Sequence, residues 1–169
     1  MSFFGLTFGK RAAVRLAPPE VVAEPRGGWF HRDEAIMGTA IRVELWCDDA
    51  RAGAAAIDAV MAEMHRIDRT MSPHKADSEL SSINRHAAGQ AVRLSPEMFG
   101  LIERALAFSA LSRGAFDISY ASVGQLYDYR AGISPDAAEL ARARMAICWR
   151  GLKLDRAART LAFAHPGMR

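Results

Sequence analysis

The chain has 169 residues and a formal net charge of +3, with 50% apolar and 24% charged residues. This composition is ordinary for one soluble domain, or for one piece of a larger domain. Arginine supplies most of the positive charge without forming a basic run, so we exclude nucleic acid as the default partner.

The sequence offers no signal for a disulfide framework or a membrane anchor. Its two cysteines, Cys47 and Cys148, each stand beside a tryptophan in an apolar stretch, which indicates buried free thiols. No apolar run reaches the roughly 18 residues that a transmembrane helix needs. Residues 1–11 place their apolar part before their basic part, the reverse of a secretory signal, and no cysteine near the N-terminus could carry a lipid. We therefore expect a cytoplasmic protein with no transmembrane segment.

Residues 1–28 are predicted to be a flexible tail because they show no hydrophobic periodicity. Turn-forming residues interrupt this stretch at Pro18-Pro19, Pro25 and Gly27-Gly28. The folded domain is therefore predicted over residues 29–169.

Two strands are predicted at the start of this domain, over residues 29–36 and 39–46. In the second, apolar residues alternate with charged ones, which is typical of a strand with one buried face. Its inward positions are Ile41, Val43 and Leu45. Met37-Gly38 between the strands suits a tight turn because glycine accepts positive φ, so we predict an antiparallel hairpin.

A long amphipathic helix is predicted over residues 50–71, with Asp48-Asp49 supplying the N-cap. Apolar residues recur on one face at spacings of three and four. They are Ile57, Val60, Met61, Met64, Ile67 and Met71. We interpret this methionine-rich stripe as core rather than as a soft-metal site, since methionine commonly fills gaps in cores.

Ser72-Pro73 ends the long helix and begins a polar loop. Either Asp77 or Ser78 is predicted to cap a short helix that runs to about Arg85. A short strand follows at residues 91–94. This loop is unusually rich in hydroxyl groups for a segment that follows a buried helix.

Ser95-Pro96-Glu97 predicts another helix start, because it combines a cap, a proline in the first turn and an acidic residue. This helix is predicted to end at Arg113-Gly114. Its buried stripe is predicted to comprise Met98, Leu101, Ile102, Ala105 and Leu106.

The last part of the chain is predicted to hold one helix and two strands. Ser134-Pro135-Asp136 begins a helix that reaches about Met145, and strands follow at residues 152–155 and 160–163. Strands, then helices, then strands predict an α+β fold, with a largely antiparallel sheet and packed helices. The final hairpin would present an unpaired edge, which suggests that more chain belongs to the domain.

Three polar loops are candidate ligand contacts, and each also has a purely structural explanation. The turn at residues 37–39 has exposed amides, although any hairpin needs such a turn. In the second loop, His74 is either a surface histidine or a face for a planar ligand, and helix capping explains half of the loop's polar groups. In the third, either an anchored Phe116 aims the Asp117 carboxylate at a ligand, or a core phenylalanine precedes a capping aspartate.

Other familiar motifs are absent from the sequence. It has no GxGxxG or GxxxxGK[ST] phosphate loop, no GxSxG elbow and no HExxH zinc motif. A metal site made of His74, Asp77 and His86 stays open as an alternative, because loop spacing alone fixes no geometry.

Taken in order, the three loops resemble the FAD:protein FMN transferase family, also called the ApbE family or flavin transferases. That family carries MGT after its first strand, then M-S-x-aromatic-x-x-x-S-E-L-x-x-x-N, then G-A-F-D-x-T and a run ending near Leu-Trp. The corresponding segments here are Met37-Gly38-Thr39, Met71-Ser72-Pro73-His74 with Ser78-Glu79-Leu80 and Asn84, Gly114-Ala115-Phe116-Asp117-Ile118-Ser119, and Leu126-Tyr127. The resemblance covers about residues 36–163 and implies an ApbE-like domain.

The resemblance implies a phosphoryl transfer in which FAD is split at its pyrophosphate, FMN is joined to a threonine hydroxyl of a target protein, and AMP leaves. It implies FAD as the substrate, a flavin-accepting protein as the partner, and Mg²⁺ to neutralise the pyrophosphate. The FAD-binding positions that it implies are Met37, His74, Ala115, Phe116 and Asp117. Ser78 and Asn84 are expected to hold the second loop rather than to touch the ligand.

The sequence departs from the family pattern in three places. His74 replaces a tyrosine or tryptophan, which implies less stacking area and either weaker flavin binding or a pH dependence near the histidine pKa. Ser119 replaces a threonine and keeps the hydroxyl. The family's later I-D-L-G-G-x-A-K-G segment and its metal-binding Asp and Thr do not occur here.

From the last departure we expect an N-terminal portion of a flavin transferase domain, truncated at the C-terminus. It would have no metal ligands of its own and would be inactive alone. Two alternatives stay open: a non-catalytic protein that binds flavin or pairs with a second half-domain, and a truncation that folds poorly. Family members are often periplasmic, in contrast to the location expected from the sequence.

Overall fold

A computed structural model describes residues 27–169, so most of the predicted tail, at residues 1–26, lies outside the described part. Short 3₁₀ turns at Ile118–Tyr120 and Trp149–Gly151 supplement the regular elements. In chain order these are β1 (Gly28–Ile36), β2 (Thr39–Cys47), α1 (Ala50–Met71), α2 (Glu79–His86), β3 (Val92–Arg93), α3 (Pro96–Leu111), α4 (Ala121–Gly124), α5 (Ala137–Arg144), β4 (Leu152–Asp155) and β5 (Thr160–Phe163).

The predicted N-terminal hairpin is confirmed. Strands β1 and β2 pair antiparallel over their whole length, from Gly28 opposite Cys47 to Ile36 opposite Thr39. Met37 and Gly38 form the turn with φ values of 55° and 72°, and two positive φ values match the right-handed twist of a two-residue hairpin. A methionine in this left-handed region is strained, so Met37 is an unusual residue for the position.

Helix α1 packs across one face of this hairpin. Asp49 caps it by accepting a hydrogen bond from the Ala52 amide at 2.6 Å. Gly53 is needed for close approach, because a Cβ there would lie 2.8 Å from the Phe30 ring. Val60 was predicted in the buried stripe but is 42% exposed. Two strands make a narrow surface, which covers Ile57 and leaves the neighbouring row in solvent.

A larger core lies between α2, α3 and a three-stranded antiparallel sheet of order β3-β5-β4. Ser95 caps α3 as predicted, and the Glu79 carboxylate accepts from both the amide and the hydroxyl of Ser95 at 2.7 Å. The buried residues here are Ile83, Ala87, Leu94, Met98, Ile102, Ala146, Leu161, Phe163 and Met168. Leu101 was predicted in this core and is 48% exposed. The two antiparallel sheets and their packed helices confirm the α+β fold.

The final hairpin does not leave β5 with an open edge. Strand β5 lies in the middle of its sheet, with β4 on one side and β3 on the other. Next to the two-residue β3, the Phe163 amide donates to the carbonyl of Ala87, the C-cap of α2, at 2.7 Å. Within residues 27–169, β4 pairs only with β5, so the final hairpin does present the predicted unpaired edge, on β4 rather than on β5.

The two cysteines are free thiols, as predicted, but Cys47 and Cys148 are only half-buried and so less enclosed than the sequence indicated. None of the helices in residues 27–169 is both long and apolar enough to cross a bilayer.

Candidate functional site

A cleft of about 830 Å³ lies where the hairpin turn, the loop after α1 and the loop after α4 meet. This volume falls in the range of pockets that hold cofactor-sized ligands. The residues that line the cleft are Met37, Gly38, Asp68, Ser72, His74, Lys75, Gln125, Tyr127, Asp128, Tyr129 and Arg130. The cleft therefore brings together two of the three loops that the sequence singled out.

The hairpin turn forms the first part of the wall. The Met37 side chain is 47% exposed, so its thioether is available to a ligand. The Arg130 guanidinium donates a hydrogen bond to the Gly38 carbonyl, joining positions 92 residues apart in the sequence. A Cβ at Gly38 would lie 3.3 Å from this guanidinium, so glycine suits both the turn and the contact.

Buried hydroxyl groups hold the loop after α1. The Ser72 carbonyl accepts from Ser78 Oγ at 2.6 Å and from Ser81 Oγ at 3.4 Å. Ser78 Oγ in turn accepts from the Ser81 amide at 3.0 Å and caps α2. The His74 amide donates to Ser72 Oγ, and the imidazole is exposed on the cleft wall. Ser78 thus holds the loop, and it rather than Asp77 is the cap.

Asn84 does not hold this loop through its carbonyl oxygen, contrary to expectation. Within residues 27–169, the Oδ1 atom of Asn84 is buried and has no hydrogen-bond partner. The residue lines both an apolar cavity of about 270 Å³ in the larger core and a cavity of about 250 Å³ that His74 also lines. A buried acceptor without a donor loses its hydrogen bonds to water and gains none in return, so this oxygen lowers the free energy of unfolding.

An ion pair lies at the base of the loop. Lys75 Nζ is 2.7 Å from Asp68 Oδ2, with the Asp68 side chain 12% exposed and that of Lys75 41% exposed. The pair ties the loop to the last turn of α1. Because Lys75 and Asp68 already pair with each other, neither side chain is free to pair with a charged group of a ligand.

The loop after α4 forms the remaining wall; of its residues, Leu126-Tyr127 matched a family motif in the sequence, whereas Tyr129 and Arg130 were not predicted. The rings of Tyr127 and Tyr129 are stacked, with centroids 5.8 Å apart and planes at 9°. Asp128 Oδ1 accepts from the Arg130 and Ala131 amides at 2.9 and 3.0 Å, which is a local turn. The sequence signal for this wall is the pair of alternating tyrosines, Tyr127 and Tyr129, followed by a turn-forming stretch at residues 130–132.

The third predicted loop does not line this cleft. Asp117 Oδ1 accepts from the Ser119 amide at 2.9 Å and from Ser119 Oγ at 2.6 Å, and Asp117 Oδ2 accepts from the Trp149 amide at 3.0 Å. Asp117 therefore caps the 3₁₀ turn and anchors a distant segment. Phe116 is neither anchored nor in the core, since it is 48% exposed beside Phe108 and Leu111. Ala115 is exposed as well.

Charged groups elsewhere on the surface connect the two layers. Arg66 on α1 donates to the carboxylates of Glu63 and of Glu97, the latter on α3, at 2.7–2.8 Å. These hydrogen bonds hold the pKa of Glu63 and of Glu97 below the usual value, and they raise the pKa of Arg66. The network fixes α1 against α3 outside the cleft.

The described part of the chain does not fit a metal ion. Across residues 27–169, no three His, Cys, Asp or Glu side chains converge closely enough to hold one. The alternative site of His74, Asp77 and His86 therefore has no support in the geometry. In the cleft, Asp68 is paired with Lys75, and Asp128 Oδ1 already accepts two amides.

Comparison with known proteins points to one family. The ApbE family matches residues 37–169. A curated FAD:protein FMN transferase from Treponema pallidum (strain Nichols) is 29% identical over 120 residues, which is 68% of this chain and 33% of that relative.

Solved structures share the fold. The ApbE protein of Thermotoga maritima matches with a TM-score of 0.74 and 21% identity, over 84% of this chain and 46% of that one. The flavinyl transferase ApbE of Pseudomonas stutzeri, in its apo form, matches with a TM-score of 0.68 and 22% identity, over 85% of this chain and 46% of that one. This chain thus spans about a third of the curated relative and just under half of these solved relatives. Because the family match extends over most of the sequence, the chain belongs to the ApbE family.

Proposed function

We propose that this chain supplies the flavin-binding part of an FAD:protein FMN transferase site. The observation that carries the proposal is the convergence of Met37 and His74 on one cleft that two tyrosines also line. The relatives that share the family are flavin transferases by name, which supports the same ligand here.

The lining of the cleft suits a flat, largely apolar ring. A methionine thioether and aromatic side chains make favourable contacts with such rings. The cleft's lysine is paired with Asp68, and its arginine donates to the Gly38 carbonyl. A neutral ring system is therefore a better occupant of this cleft than a pyrophosphate is.

The proposed reaction transfers FMN from FAD to a threonine hydroxyl of a target protein. The threonine oxygen forms a bond to the phosphorus on the flavin side of the pyrophosphate. The bond between that phosphorus and the bridging oxygen breaks, AMP leaves with the oxygen, and the hydroxyl proton is released. The chain's own part is to bind and orient the flavin end of the substrate.

The family resemblance also implies Mg²⁺, and residues 27–169 do not fit it. No step of the reaction is therefore assigned to a metal held by these residues. We propose that groups outside residues 27–169 supply the Mg²⁺ ligands. For the same reason we expect the 169-residue chain to bind flavin without transferring FMN. A non-catalytic flavin-binding protein, or one that works with a second half-domain, is the alternative function that this observation favours.

Ala115, Phe116 and Asp117 stay proposed FAD contacts, away from the cleft lining. Both Oδ1 lone pairs of Asp117 are used by Ser119, but Oδ2 accepts a single hydrogen bond. One acceptor position on the carboxylate is therefore available to a donor group of the ligand. A ligand contact through Asp117 Oδ2 would leave Oδ1 to cap the 3₁₀ turn.

Titration of the chain with FAD, followed by flavin fluorescence, tests binding. We expect saturable binding that free FMN competes for, and a loss of about fivefold in affinity in His74→Ala because a stacking face is removed. His86→Ala is the matched control, since His86 is an exposed histidine that does not line the cleft. No saturable binding, or equal losses in both variants, would contradict the proposal.

Incubation with FAD, Mg²⁺ and threonine-containing protein acceptors separates the catalytic and non-catalytic functions. Flavin that stays attached to the acceptor after denaturation, with an equal amount of AMP, shows transfer. Saturable binding without AMP shows that the 169 residues bind flavin alone. Repeating the assay with a longer chain that carries the rest of the ApbE domain then tests whether transfer needs the added residues.

A further inference from the structure

We propose that Tyr129 is a specificity-determining residue that stacks on the flavin ring, and that Arg130 positions it. This inference rests on the proposed function, because it names the residues that select the ligand in the same cleft. It concerns the loop after α4, which lies more than fifty residues beyond the His74 loop in the sequence.

Tyr129 presents a large aromatic surface at the cleft. It lines the cavity, yet it is 83% exposed, so most of its ring is free to contact another molecule. Tyr127 is half-buried and stacks parallel to it. Solvent exposure of a large aromatic ring beside a cofactor-sized cavity is typical of a contact that a ligand completes.

The loop that carries Tyr129 has a defined shape despite its exposure. The Asp128 and Ile133 backbones exchange hydrogen bonds of 3.1 and 2.9 Å, which close the loop at its base. Inside it, the Asp128 carboxylate accepts two amides. A rigid tyrosine loses little conformational entropy when it contacts a ligand, and a preorganised ring therefore adds more affinity.

Arg130 sets where this ring stands relative to the hairpin. Its guanidinium donates to the Gly38 carbonyl, directly beside Met37. The contact joins the loop tip to the turn, so it fixes the width of the cleft between Tyr129 and Met37. Arg130 needs no contact with the ligand to do this, and its role is positional.

The flavin ring is a better match than adenine, the other planar group of FAD. The cleft has a volume of about 830 Å³ and combines three aromatic side chains with one thioether. A three-ring system can lie against His74 and Tyr129 in one cavity of this size, whereas a purine covers less of that surface. His74 offers a small imidazole face, and Tyr129 supplies the stacking area that it lacks.

Binding of free FMN and of AMP to the whole 169-residue chain tests the proposal. We expect Tyr129→Ala to raise the Kd for FMN about tenfold, through the lost aromatic contact, and to leave AMP binding unchanged. Tyr129→Phe should keep the affinity within about twofold, because the ring remains. It should also make bound FMN more fluorescent, since a stacked phenol quenches flavin emission by electron transfer and a phenyl ring does so poorly.

Two matched controls separate stacking from general disturbance. Tyr120→Ala removes another exposed tyrosine that does not line the cleft, and Arg142→Ala removes an exposed arginine on α5. Both should bind FMN like the wild type, whereas Arg130→Ala should raise the Kd about threefold without changing the thermal unfolding midpoint.

A double-mutant cycle tests whether Tyr129 compensates for the small ring at position 74. In a His74→Tyr background, the loss caused by Tyr129→Ala should shrink, because the two residues share the ring contact. Equal losses in both backgrounds would overturn the compensation.

The outcomes also distinguish this inference from the proposed function. If the wild type binds FMN and Tyr129→Ala binds it equally well, the inference is wrong and the proposed function stands. If Tyr129→Ala weakens AMP instead of FMN, the ring beside Tyr129 is adenine and the assignment to flavin is wrong. If the wild type binds neither FMN nor FAD, the proposed function fails, and this inference fails with it.

Discussion

The two layers of the molecule differ in how much apolar surface they remove from water. The hairpin layer, β1 and β2 with α1, has three buried residues in its core: Ile36, Ile57 and Met61. The layer of α2, α3 and the three-stranded sheet has nine in the part of the chain that the structure describes. With only three buried residues, the first layer gains less free energy from apolar burial, so it depends more on its polar connections.

Those connections are visible at the surface of the hairpin layer. Arg32 on β1 donates to Asp58 on α1 at 2.6 Å, and His65 Nε2 lies 2.7 Å from the Glu34 carboxylate. The cleft lies at the end of this lightly buried layer, where the hairpin turn meets two loops. The comparison teaches that the candidate site is attached to the less enclosed part of the fold, while the larger core supplies most of the apolar burial.

Truncating one buried residue in each layer should give the largest effects and tests whether the larger core contributes more to stability. Leu161→Ala should lower the free energy of unfolding by about 3 kcal/mol, because Leu161 is 1% exposed in the central strand and its cavity cannot collapse. Met61→Ala should cost about 2 kcal/mol, because the narrow hairpin can relax around the gap. Urea unfolding monitored by circular dichroism measures both. A larger loss for Met61 would reverse the ranking of the two layers.

Within the larger layer, the unpartnered Oδ1 of Asn84 is expected to lower the free energy of unfolding. Asn84→Leu should raise the free energy of unfolding by about 1 kcal/mol, because it replaces a buried, unpartnered acceptor with an apolar group of similar size. Ser78→Ala is the contrasting variant and should lower it by about 1 kcal/mol, since its hydroxyl is bonded on both sides. A loss in Asn84→Leu would show that Oδ1 has a partner in solution.

The smallest effect concerns the exposed charges between the layers. Glu63 and Glu97 have pKa values below the usual 4.5 because Arg66 donates to them. Groups with lowered folded pKa values stabilise the fold above the unfolded value, and that contribution disappears as the pH falls through the lowered values. Arg66→Ala should therefore lower the unfolding midpoint slightly at neutral pH, and not in strong acid or at high salt. A difference that persists under those conditions would assign Arg66 a packing role.

Local signals predicted most of the secondary structure. The caps at Asp49 and Ser95 and the break at Ser72-Pro73 each act within a few residues, so α1 and α3 begin where the sequence indicates. Exposure was less predictable, because it depends on the width of the partner surface. Val60 continues an apolar stripe in sequence, but the two-stranded hairpin that faces α1 is too narrow to cover it, and Leu101 is 48% exposed although it lines an apolar cavity of the larger core.

The candidate site was predictable only in part, for a related reason. His74 and Met37 stand in motifs, and the structure brings both to one cleft. In the tyrosine loop only Tyr127 stands in a motif; Tyr129 and Arg130 do not, and sequence spacing does not reveal the contact between Arg130 and the Gly38 carbonyl. Asp117 shows the converse, since it stands in a motif but lies away from the cleft lining and makes hydrogen bonds to Ser119 and Trp149 within the fold.

The carbonyl of Ser72 has a consequence for how this protein can vary. It accepts hydrogen bonds from the hydroxyls of Ser78, the N-cap of α2, and of Ser81 within α2, so the course of the backbone past His74 is set by atoms behind the cleft surface. The imidazole contributes nothing to that support through its own ring. Position 74 is therefore free to exchange one ring for another, and with it the affinity for a ligand, while the chain beneath keeps its path.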